Sequence, residues 1–283
     1  MPKLAVISCY FNFAGFSRPQ QNLHRFLRQQ AKEGTSVFGV EAILGATMPV
    51  TTSYARWKRI RLDPKTQTIW QKEALLNLAE KLVPEEYDWL AWCDTDLMFE
   101  RPLALPDTDK DIYQLFDTAV WTDRNGRSEM QKPSSAAFGF DPSWRSHPGF
   151  AWAMRRDLWR QAGGLYPYAL SGGGDSVMAC AFLKQHVWGE LKQHLGTNHE
   201  PYLKWATNFT DAKVGYVPQR VWHEWHGTMQ DRDYVGRKER VSKVDVTKDL
   251  AILENGTLSW TPNANPDLIQ DVRSYFASRK EDG

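Results

Sequence analysis

The sequence predicts a mixed α/β fold in which a mostly parallel sheet is flanked by helices. Short apolar runs at residues 3–9 and 36–44 have the composition of buried parallel strands, and a stretch with helical apolar spacing lies between them. A strand, a helix and a strand in this order form a crossover unit, which pairs its two strands in parallel. Because ligands of such sheets bind at the carboxyl ends of the strands, we expect the functional site there.

The first helix of this unit follows a short polar loop. Ser17 is a suitable capping residue, and Pro19 fits the first turn of a helix. Leu23, Phe26 and Leu27 recur at the spacing that places them on one helix face. The pattern predicts an amphipathic helix that packs on the sheet.

A second amphipathic helix and a third buried strand come next. Residues 69–82 carry apolar side chains at i, i+3, i+4 and i+7 spacing, and Pro84 ends the pattern because proline has no backbone N–H to donate. Residues 88–93 (Asp-Trp-Leu-Ala-Trp-Cys) are then a short apolar run. Their length and composition predict a buried strand.

The second half of the sequence predicts helices but few strands. Residues 157–164 and 177–185 have helical patterns, the first of them closed by a Gly-Gly pair. Asn265 and Pro266 are a cap residue and a first-turn proline, so they predict the start of a last helix. The charged residues 279–283 that follow are expected to be frayed.

Asp94 and Asp96 stand directly after the apolar run that ends at residue 93. In an extended chain, residues two apart point to the same side, so both carboxylates would face the ligand edge of the sheet. Two carboxylates this close repel each other unless a cation is present. Hard oxygen ligands of this kind suit Mg²⁺ or Mn²⁺, so the sequence predicts a divalent-metal site.

These elements resemble the metal-dependent glycosyltransferases of the GT-A type that carry an Asp-x-Asp motif. Residues 70–77 (Trp-Gln-Lys-Glu-Ala-Leu-Leu-Asn) and residues 89–96 (Trp-Leu-Ala-Trp-Cys-Asp-Thr-Asp) are similar to the nucleotide-sugar half of these enzymes. Within this type, the sequence resembles the catalytic domains of family 2 and of the polypeptide GalNAc-transferases. The resemblance implies a GT-A fold, a single large Rossmann-like domain with a C-terminal extension.

The resemblance continues downstream of the acidic motif. Residues 149–165 are similar to the small-residue strand of these enzymes and the helix after it, which ends in Gly-Gly. Residues 172–176 (Gly-Gly-Gly-Asp-Ser) stand in the place of the Gly-Gly-acid motif that faces the acceptor, with one acid, Asp175, where many members have two. We expect a glycosyltransferase domain at 1–240, divided into a nucleotide-sugar half (1–100) and an acceptor half (101–240), and an extension with a terminal helix at 241–283.

The segment Trp-His-Glu-Trp-His-Gly, residues 222–227, resembles the element from which a histidine completes the metal site in these enzymes. The resemblance implies His226 as a ligand beside Asp96 and Asp94, and an imidazole among carboxylates favours Mn²⁺ over Mg²⁺. His223 would share a face with His226 only in a helix, which the tryptophan and glycine content disfavours. We therefore place His223 with the acceptor, although the sequence leaves open which histidine coordinates.

The resemblance also implies residues for the two substrates. We expect the nucleotide-sugar to contact Phe11, Asn12, Glu41, Lys72, Asn77 and Asp94, and the acceptor to contact Trp152, Gly173, Gly174, Asp175 and His223. Arg232 and Arg237 lie in a basic stretch that could meet the charge of a diphosphate. Asp175 is the candidate general base if the reaction inverts the sugar's anomeric centre, and it orients the sugar if the reaction retains it.

Two other classes of function remain open from the sequence. A metal-dependent nucleotidyltransferase would also place strand-end carboxylates on a metal, with a third acid such as Asp117 for a second ion. A carbohydrate-binding protein without catalysis would explain the 13 tryptophans but not the paired acids. We expect a transferase of the glycosyl class that uses a UDP-sugar.

The partners of the reaction are less defined than its site. The acceptor could be a glycan, a lipid-linked glycan, a protein or a hydroxylated DNA base, and only the basic and aromatic run at residues 56–61 favours the last. The net charge of +1 excludes a global field that recruits nucleic acid or anionic membranes. Without a leader or a membrane span we expect a cytoplasmic protein of undefined oligomeric state, with a bacterial or phage origin open.

Overall fold

Seven strands form the main sheet of the protein, seen here in a computed structural model that describes residues 3–106, 109–139, 145–170, 172–187, 189–228, 239 and 241–283. The strands are β1 Leu4–Phe11, β2 Val37–Leu44, β3 Trp57–Leu62, β4 Trp89–Cys93, β5 Leu97–Phe99, β6 Ile112–Gln114, β7 Thr118–Thr122, β8 Ser128–Pro133, β9 Ala151–Arg155, β10 Val214–Tyr216, β11 Arg220–His223, β12 Leu250–Ile252 and β13 Leu258–Trp260. The helices are α1 Ser17–Lys32, α2 Lys72–Glu80, α3 Ser135–Phe138, α4 Arg156–Gln161, α5 Gly174–Phe182, α6 Glu200–Ala206 and α7 Pro266–Ser278.

The main sheet has the order β10-β6-β9-β4-β1-β2-β3. Strand β1 pairs in parallel with β2, in the register Val6 to Val37, and with β4, in the register Leu4 to Trp89. Strand β9 is antiparallel to both of its neighbours, β4 and β6, and the other neighbouring pairs are parallel. The expected fold class, a mostly parallel mixed sheet flanked by helices, is confirmed.

Other elements cover both faces of the main sheet. Alternate residues of β1 contact the elements on opposite faces. Ile7 is fully buried on one face, in an apolar cluster that includes Leu75 of α2 and Val177 of α5. Val6 is fully buried on the other face, in a cluster that includes Phe26 of α1 and Trp121 of β7. A strand that is buried on both faces must be apolar throughout, which is why β1 and β4 were recognisable as strands.

A second sheet of four strands, in the order β5-β11-β7-β8, was not predicted. Its strand β11 is parallel to β7 and antiparallel to β5, where His223 pairs with Leu97. Strands of three to six residues carry too few side chains for a clear alternation, so their pairing is set by the fold around them. Through the pairing of β11 with β5, this sheet places Asp96 beside residues 222–227, called the histidine segment below.

The basic and aromatic run at residues 56–61 is largely β3, the edge strand of the main sheet. Trp57 is buried, and its ring lies 2.3 Å from the position a Cβ on Gly39 would take. Arg59 and Arg61 donate hydrogen bonds to the backbone carbonyls of Thr51 and Gly45. These basic residues therefore hold the loop before β3, and the aromatic ring belongs to the core.

The last helix begins as the sequence predicts. The Asn265 side chain accepts a hydrogen bond from the Asp267 amide at 2.9 Å, and Pro266 occupies the first turn. The apolar face of α7 packs in a third cluster with Ile69 and Leu170. The expected fraying of residues 279–283 is wrong, because their side chains contact α1 and the histidine segment.

None of the helices in the described part of the chain has both the length and the apolar character that crossing a membrane requires.

Candidate functional site

A cavity of about 530 Å³ opens where β1 and β4 end. Its lining comes from four separate stretches of the chain, residues 9–14, 94–96, 146–150 and 172–176, and from single residues of other elements. A parallel sheet collects its strand ends at one edge, and the loops that leave this edge form the walls. The position of the cavity is the one that the fold class predicts for a ligand site.

Asp94 and Asp96 lie at the junction between the two sheets. Strand β4 is buried throughout and ends at Cys93, and the Asp94 amide then donates a hydrogen bond to the Phe150 carbonyl at 3.0 Å. Strand β5 of the second sheet begins at Leu97. The change of sheet turns the two aspartates towards different partners, although they are only two residues apart.

Asp96, His223 and His226 form a compact cluster that could hold a metal ion. The Asp96 Oδ2 atom lies 2.9 Å from His226 Nε2 and 3.4 Å from His223 Nε2, and the two Nε2 atoms are 3.2 Å apart. Both rings are buried. A backbone hydrogen bond from the Glu224 amide to the Asp96 carbonyl, at 2.8 Å, fixes the histidine segment beside the acid.

The electrostatics of this cluster suit a cation. Burial raises the pKa of Asp96, but His223 and His226 more than offset it and hold that pKa well below its ordinary value. The second oxygen of Asp96, Oδ1, is buried and has no hydrogen-bond partner within the described part of the chain. A carboxylate oxygen and two imidazole nitrogens that converge on one point form a donor set for a divalent metal such as Mn²⁺.

Asp94 belongs to a different group, centred on Lys72 at the start of α2. The Lys72 Nζ atom lies 2.6 Å from Asp94 Oδ1 and donates to both oxygens of Asp175 at 3.0 Å. Burial works against the charge of Lys72, but Asp175, Asp94 and Glu73 raise its pKa well above the ordinary value. Burial, opposed by Lys72 but reinforced by Asp175, raises the pKa of Asp94 to about 7. One lysine therefore serves several carboxyl groups, and this side of the cavity carries an excess of acid.

Glu73, which the sequence did not single out, is the most deeply buried acid of the cavity wall. It is 1% exposed, and among the residues that the structure describes neither of its carboxyl oxygens has a hydrogen-bond partner. Burial, opposed by Lys72 and reinforced by Asp175, raises its pKa to about 8. The only sequence signal was its place in the first turn of a helix, where glutamate is common for other reasons.

The glycines before Asp175 allow the chain to pass close to these side chains. Gly173 has a φ of 89°, and a Cβ there would lie 2.4 Å from the His194 ring. A Cβ on Gly174 would lie 2.2 Å from a carboxyl oxygen of Glu73. Only glycine fits both positions, so this loop is shaped by close packing as well as by its positive φ.

Aromatic rings form two walls of the cavity. One consists of Phe11, Phe13, Trp70 and Phe276, whose neighbouring ring centroids are 5.0 to 6.3 Å apart. The other consists of Trp121, His147, Phe150 and His223. Such walls offer flat apolar surfaces to a base or a sugar ring.

Phe150 stands out in the second wall because its φ is 75°, a sparsely populated conformation for a large side chain. Its ring stacks on His223 with centroids 5.0 Å apart, and its carbonyl accepts the hydrogen bond from Asp94. Strain of this kind is found where the surrounding structure enforces it, often at functional sites. Phe150 therefore links the acidic motif to a histidine of the cluster.

Most residues named from the sequence line this cavity. They are Phe11, Asn12, Lys72, Asp94, Asp96, Gly173, Gly174, Asp175, His223 and His226. Contrary to our expectation, His223 lies beside His226, because a strand end and a turn rather than a helix bring the two rings together. Asp94 lies outside the three-residue cluster and is paired with Lys72.

Three of the named residues do not line the cavity and have structural contacts instead. Glu41 accepts hydrogen bonds from the backbone amides of Val50 and Thr51. The Asn77 side chain donates to the Leu165 carbonyl and accepts from the Leu165 amide. The Trp152 indole donates to the Pro148 carbonyl. Arg232 and Arg237 lie outside the described residues.

Comparison with known proteins gives distant structural neighbours only. No protein-family model matches the sequence, and no curated protein matches it. The catalytic domain of Drosophila β1,4-galactosyltransferase 7, in complex with xylobiose, is 11% identical, covers 92% of each chain and has a TM-score of 0.43. A mutant of that enzyme in complex with manganese, UDP-Gal and xylobiose gives the same values.

Two other neighbours are more distant still. The 4-diphosphocytidyl-2C-methyl-D-erythritol synthase of Anaerococcus prevotii is 9% identical, with a TM-score of 0.32 over 97% of this chain and 98% of the other. A glycosyltransferase involved in the glycosylation of the major capsid of PBCV-1 is 12% identical, with a TM-score of 0.31 over 85% of this chain and 99% of the other.

Proposed function

We propose that the protein is a metal-dependent glycosyltransferase that moves a sugar from a nucleoside-diphosphate sugar, a UDP-sugar in the first instance, to an acceptor hydroxyl. The observation that carries this proposal is the convergence of Asp96, His223 and His226 in one cavity. The same cavity contains Asp175, which is ion-paired with Lys72. A cation site beside a half-buried carboxylate combines the two tasks of such a reaction, the binding of a diphosphate and the activation of a hydroxyl.

The residues present fit a divalent metal. Asp96 Oδ1 is buried and has no hydrogen-bond partner from the described residues, and the Nε2 atoms of His223 and His226 face the same point as Asp96 Oδ2. Nitrogen ligands beside a carboxylate favour Mn²⁺ over Mg²⁺. When bound, the metal would supply the positive charge that stabilises a leaving diphosphate.

The donor would lie along the wall that follows β1. Phe11 and Trp70 pack edge to face, with ring centroids 5.0 Å apart, and present apolar surface on which a nucleobase can stack. The Asn12 amide holds the loop, since it donates to the Phe16 carbonyl and accepts from the Phe16 amide. Lys72 also lines the cavity, where Asp94 and Asp175 hold its ammonium group in place.

Asp175 is the candidate general base for an inverting transfer. It begins the first turn of α5, where the helix dipole favours an ionised carboxylate, and Lys72 donates to both of its oxygens. Gly149 lies beside this carboxylate, and a Cβ there would lie 2.9 Å from an Asp175 carboxyl oxygen. In a retaining transfer, the same carboxylate would orient the sugar.

The two alternative functions, a nucleotidyltransferase and a carbohydrate-binding protein without catalysis, have weaker support from the residues of the cavity. Asp117, the third acid that a nucleotidyltransferase would need, is not among the residues that line it, and its backbone pairs with Gln219 and Ser134. A sugar-binding protein without catalysis has no need of the buried acid and lysine group around Asp175. We therefore retain the transferase as the single proposal.

The test is an incubation with a panel of UDP-sugars and GDP-sugars, with Mn²⁺ and with EDTA in its place. Release of free nucleoside diphosphate that requires Mn²⁺ supports the proposal, and Asp96→Ala should abolish it while circular dichroism shows an intact fold. Asp271→Ala removes an exposed acid of α7 and is the matched control that should keep full activity.

Three outcomes would overturn the proposal. An Asp96→Ala protein that is active and resistant to EDTA would remove the metal site. Release of pyrophosphate from a nucleoside triphosphate would support a nucleotidyltransferase instead. Binding of sugar with no turnover of any donor would support a carbohydrate-binding protein.

A further inference from the structure

The chain after α7 folds back onto the histidine segment. The Glu281 carboxylate lies 3.2 Å from His226 Nδ1, on the side of the ring opposite the Nε2 atom that faces Asp96. The Glu281 side chain is only 12% exposed. The Nδ1 atom is buried, and among the described residues its contact with Glu281 is a close ion-pair approach that is not aligned as a hydrogen bond. One imidazole thus lies between two carboxylates.

Several contacts fix Glu281 in this place. Arg279 forms an ion pair with Glu281, and its guanidinium lies 5.2 Å from the centre of the Trp70 ring. The same guanidinium donates to the Tyr275 hydroxyl at 3.1 Å. The Lys280 carbonyl packs so close to Gly227 that a Cβ there would lie 2.5 Å from it. These contacts hold residues 279–281, and with them the Glu281 carboxylate, against the histidine segment and Trp70.

Asp282 anchors the same segment to α1. The first helix has no capping side chain of its own, since Phe16 stands at the position before Ser17. Asp282 supplies the missing acceptors, taking hydrogen bonds from the Ser17 amide at 3.0 Å and the Arg18 amide at 2.7 Å. An acid at a helix start also interacts favourably with the helix dipole. Residues 281 and 282 therefore join α1 to the histidine segment.

We propose that Glu281 is a positioning residue for the metal site, which holds the His226 ring with Nδ1 protonated and Nε2 free to coordinate. Histidines that bind metals generally donate their second ring N–H to a carboxylate or carbonyl, and this contact sets the tautomer and the ring direction. Asp96 and His223 lie on the Nε2 side, so the direction that Glu281 imposes is the one that closes the cluster. The inference rests on the proposed function, because it needs the cluster to bind metal.

The experiment measures the dissociation constant of Mn²⁺ alone, by titration calorimetry, with no donor or acceptor present. We expect Glu281→Ala to weaken Mn²⁺ binding about 10- to 100-fold, the usual effect of losing such a partner. Glu281→Gln keeps an acceptor oxygen at the same reach and should recover most of the affinity. It also serves as the second variant if the alanine protein does not fold.

Glu224→Gln is the matched control for charge. Glu224 lies in the histidine segment and pairs with Arg25 at 2.8 Å, so its substitution removes one negative charge near the cluster without removing a contact to His226. The Mn²⁺ affinity of this variant should stay within about twofold of the wild type. A loss of Mn²⁺ affinity in Glu224→Gln as large as that in Glu281→Ala would show that only charge matters, and it would overturn the positioning role.

The remaining outcomes separate the inference from the proposed function. Mn²⁺ binding that Asp96→Ala abolishes and a folded Glu281→Ala protein retains unchanged would overturn the role of Glu281 and leave the metal site standing. A wild-type protein that binds no Mn²⁺ would overturn the metal site itself, and the inference with it.

Discussion

Glu73→Gln replaces a buried carboxyl group by its neutral isostere. Burial raises the pKa of Glu73 from its ordinary value of 4.5 to about 8, so the folded protein keeps the proton while the unfolded chain releases it. Between these two pKa values the folded state binds more protons, and its stability therefore falls as the pH rises. The loss is about 1.4 kcal/mol per pH unit, which amounts to about 3 kcal/mol at pH 7.

The assay is urea unfolding of wild type and variant in EDTA, at a series of pH values from about 5 to about 8. Other groups titrate in this range in both proteins, so the informative quantity is the difference in the free energy of unfolding between them. We expect the variant to gain about 1.4 kcal/mol over the wild type for each pH unit up to the folded pKa, and nothing beyond it. A difference that does not change with pH would refute the reasoning, because Glu73 would then be ionised in the folded protein.

Two further predictions concern catalysis and packing. Asp175→Asn should lower turnover by about 10²- to 10⁴-fold while the Mn²⁺ dissociation constant stays the same, and steady-state kinetics with calorimetry would show whether a general base has been lost. Gly164→Ala places a Cβ 2.4 Å from the Asn77 side chain at a φ of 95°. It should cost about 2 to 4 kcal/mol of stability in urea unfolding. Gly163→Ala, with a φ of 73° and open space, should cost only about 1 kcal/mol, and equal losses would contradict the packing explanation.

The elements that local signals define could be predicted from the sequence. Strands β1, β2 and β4 are buried on both faces and therefore almost continuously apolar, with Ser8 and Glu41 as buried polar exceptions. Helix α7 carries its cap and proline in adjacent positions. The place of Asp94 and Asp96 after a buried strand also followed from composition and spacing. These features depend on a few neighbouring residues, which is the range over which periodicity and capping arguments apply.

The contacts that complete the site join residues far apart in the chain. Lys72 meets Asp175 across 103 residues, and Ser17 meets Asp282 across 265. Local sequence patterns do not indicate such long-range contacts. For this reason the sequence predicts fraying at residues 279–283 and does not distinguish Glu73 from other acids in a first helical turn. His223 was kept apart from His226 because a helix was the only local means of bringing them together. A strand end and a turn achieve the same by pairing with β5.

The proposed metal site can be tested directly by anomalous diffraction at the manganese edge from crystals soaked in Mn²⁺ and UDP. The proposed function requires a peak between Asp96 Oδ2 and the Nε2 atoms of His223 and His226, with diphosphate density beside it. It also requires that the peak be absent from Asp96→Ala crystals. A peak elsewhere in the cavity, or no peak at saturating Mn²⁺, would contradict the assignment of these three residues as the cation site.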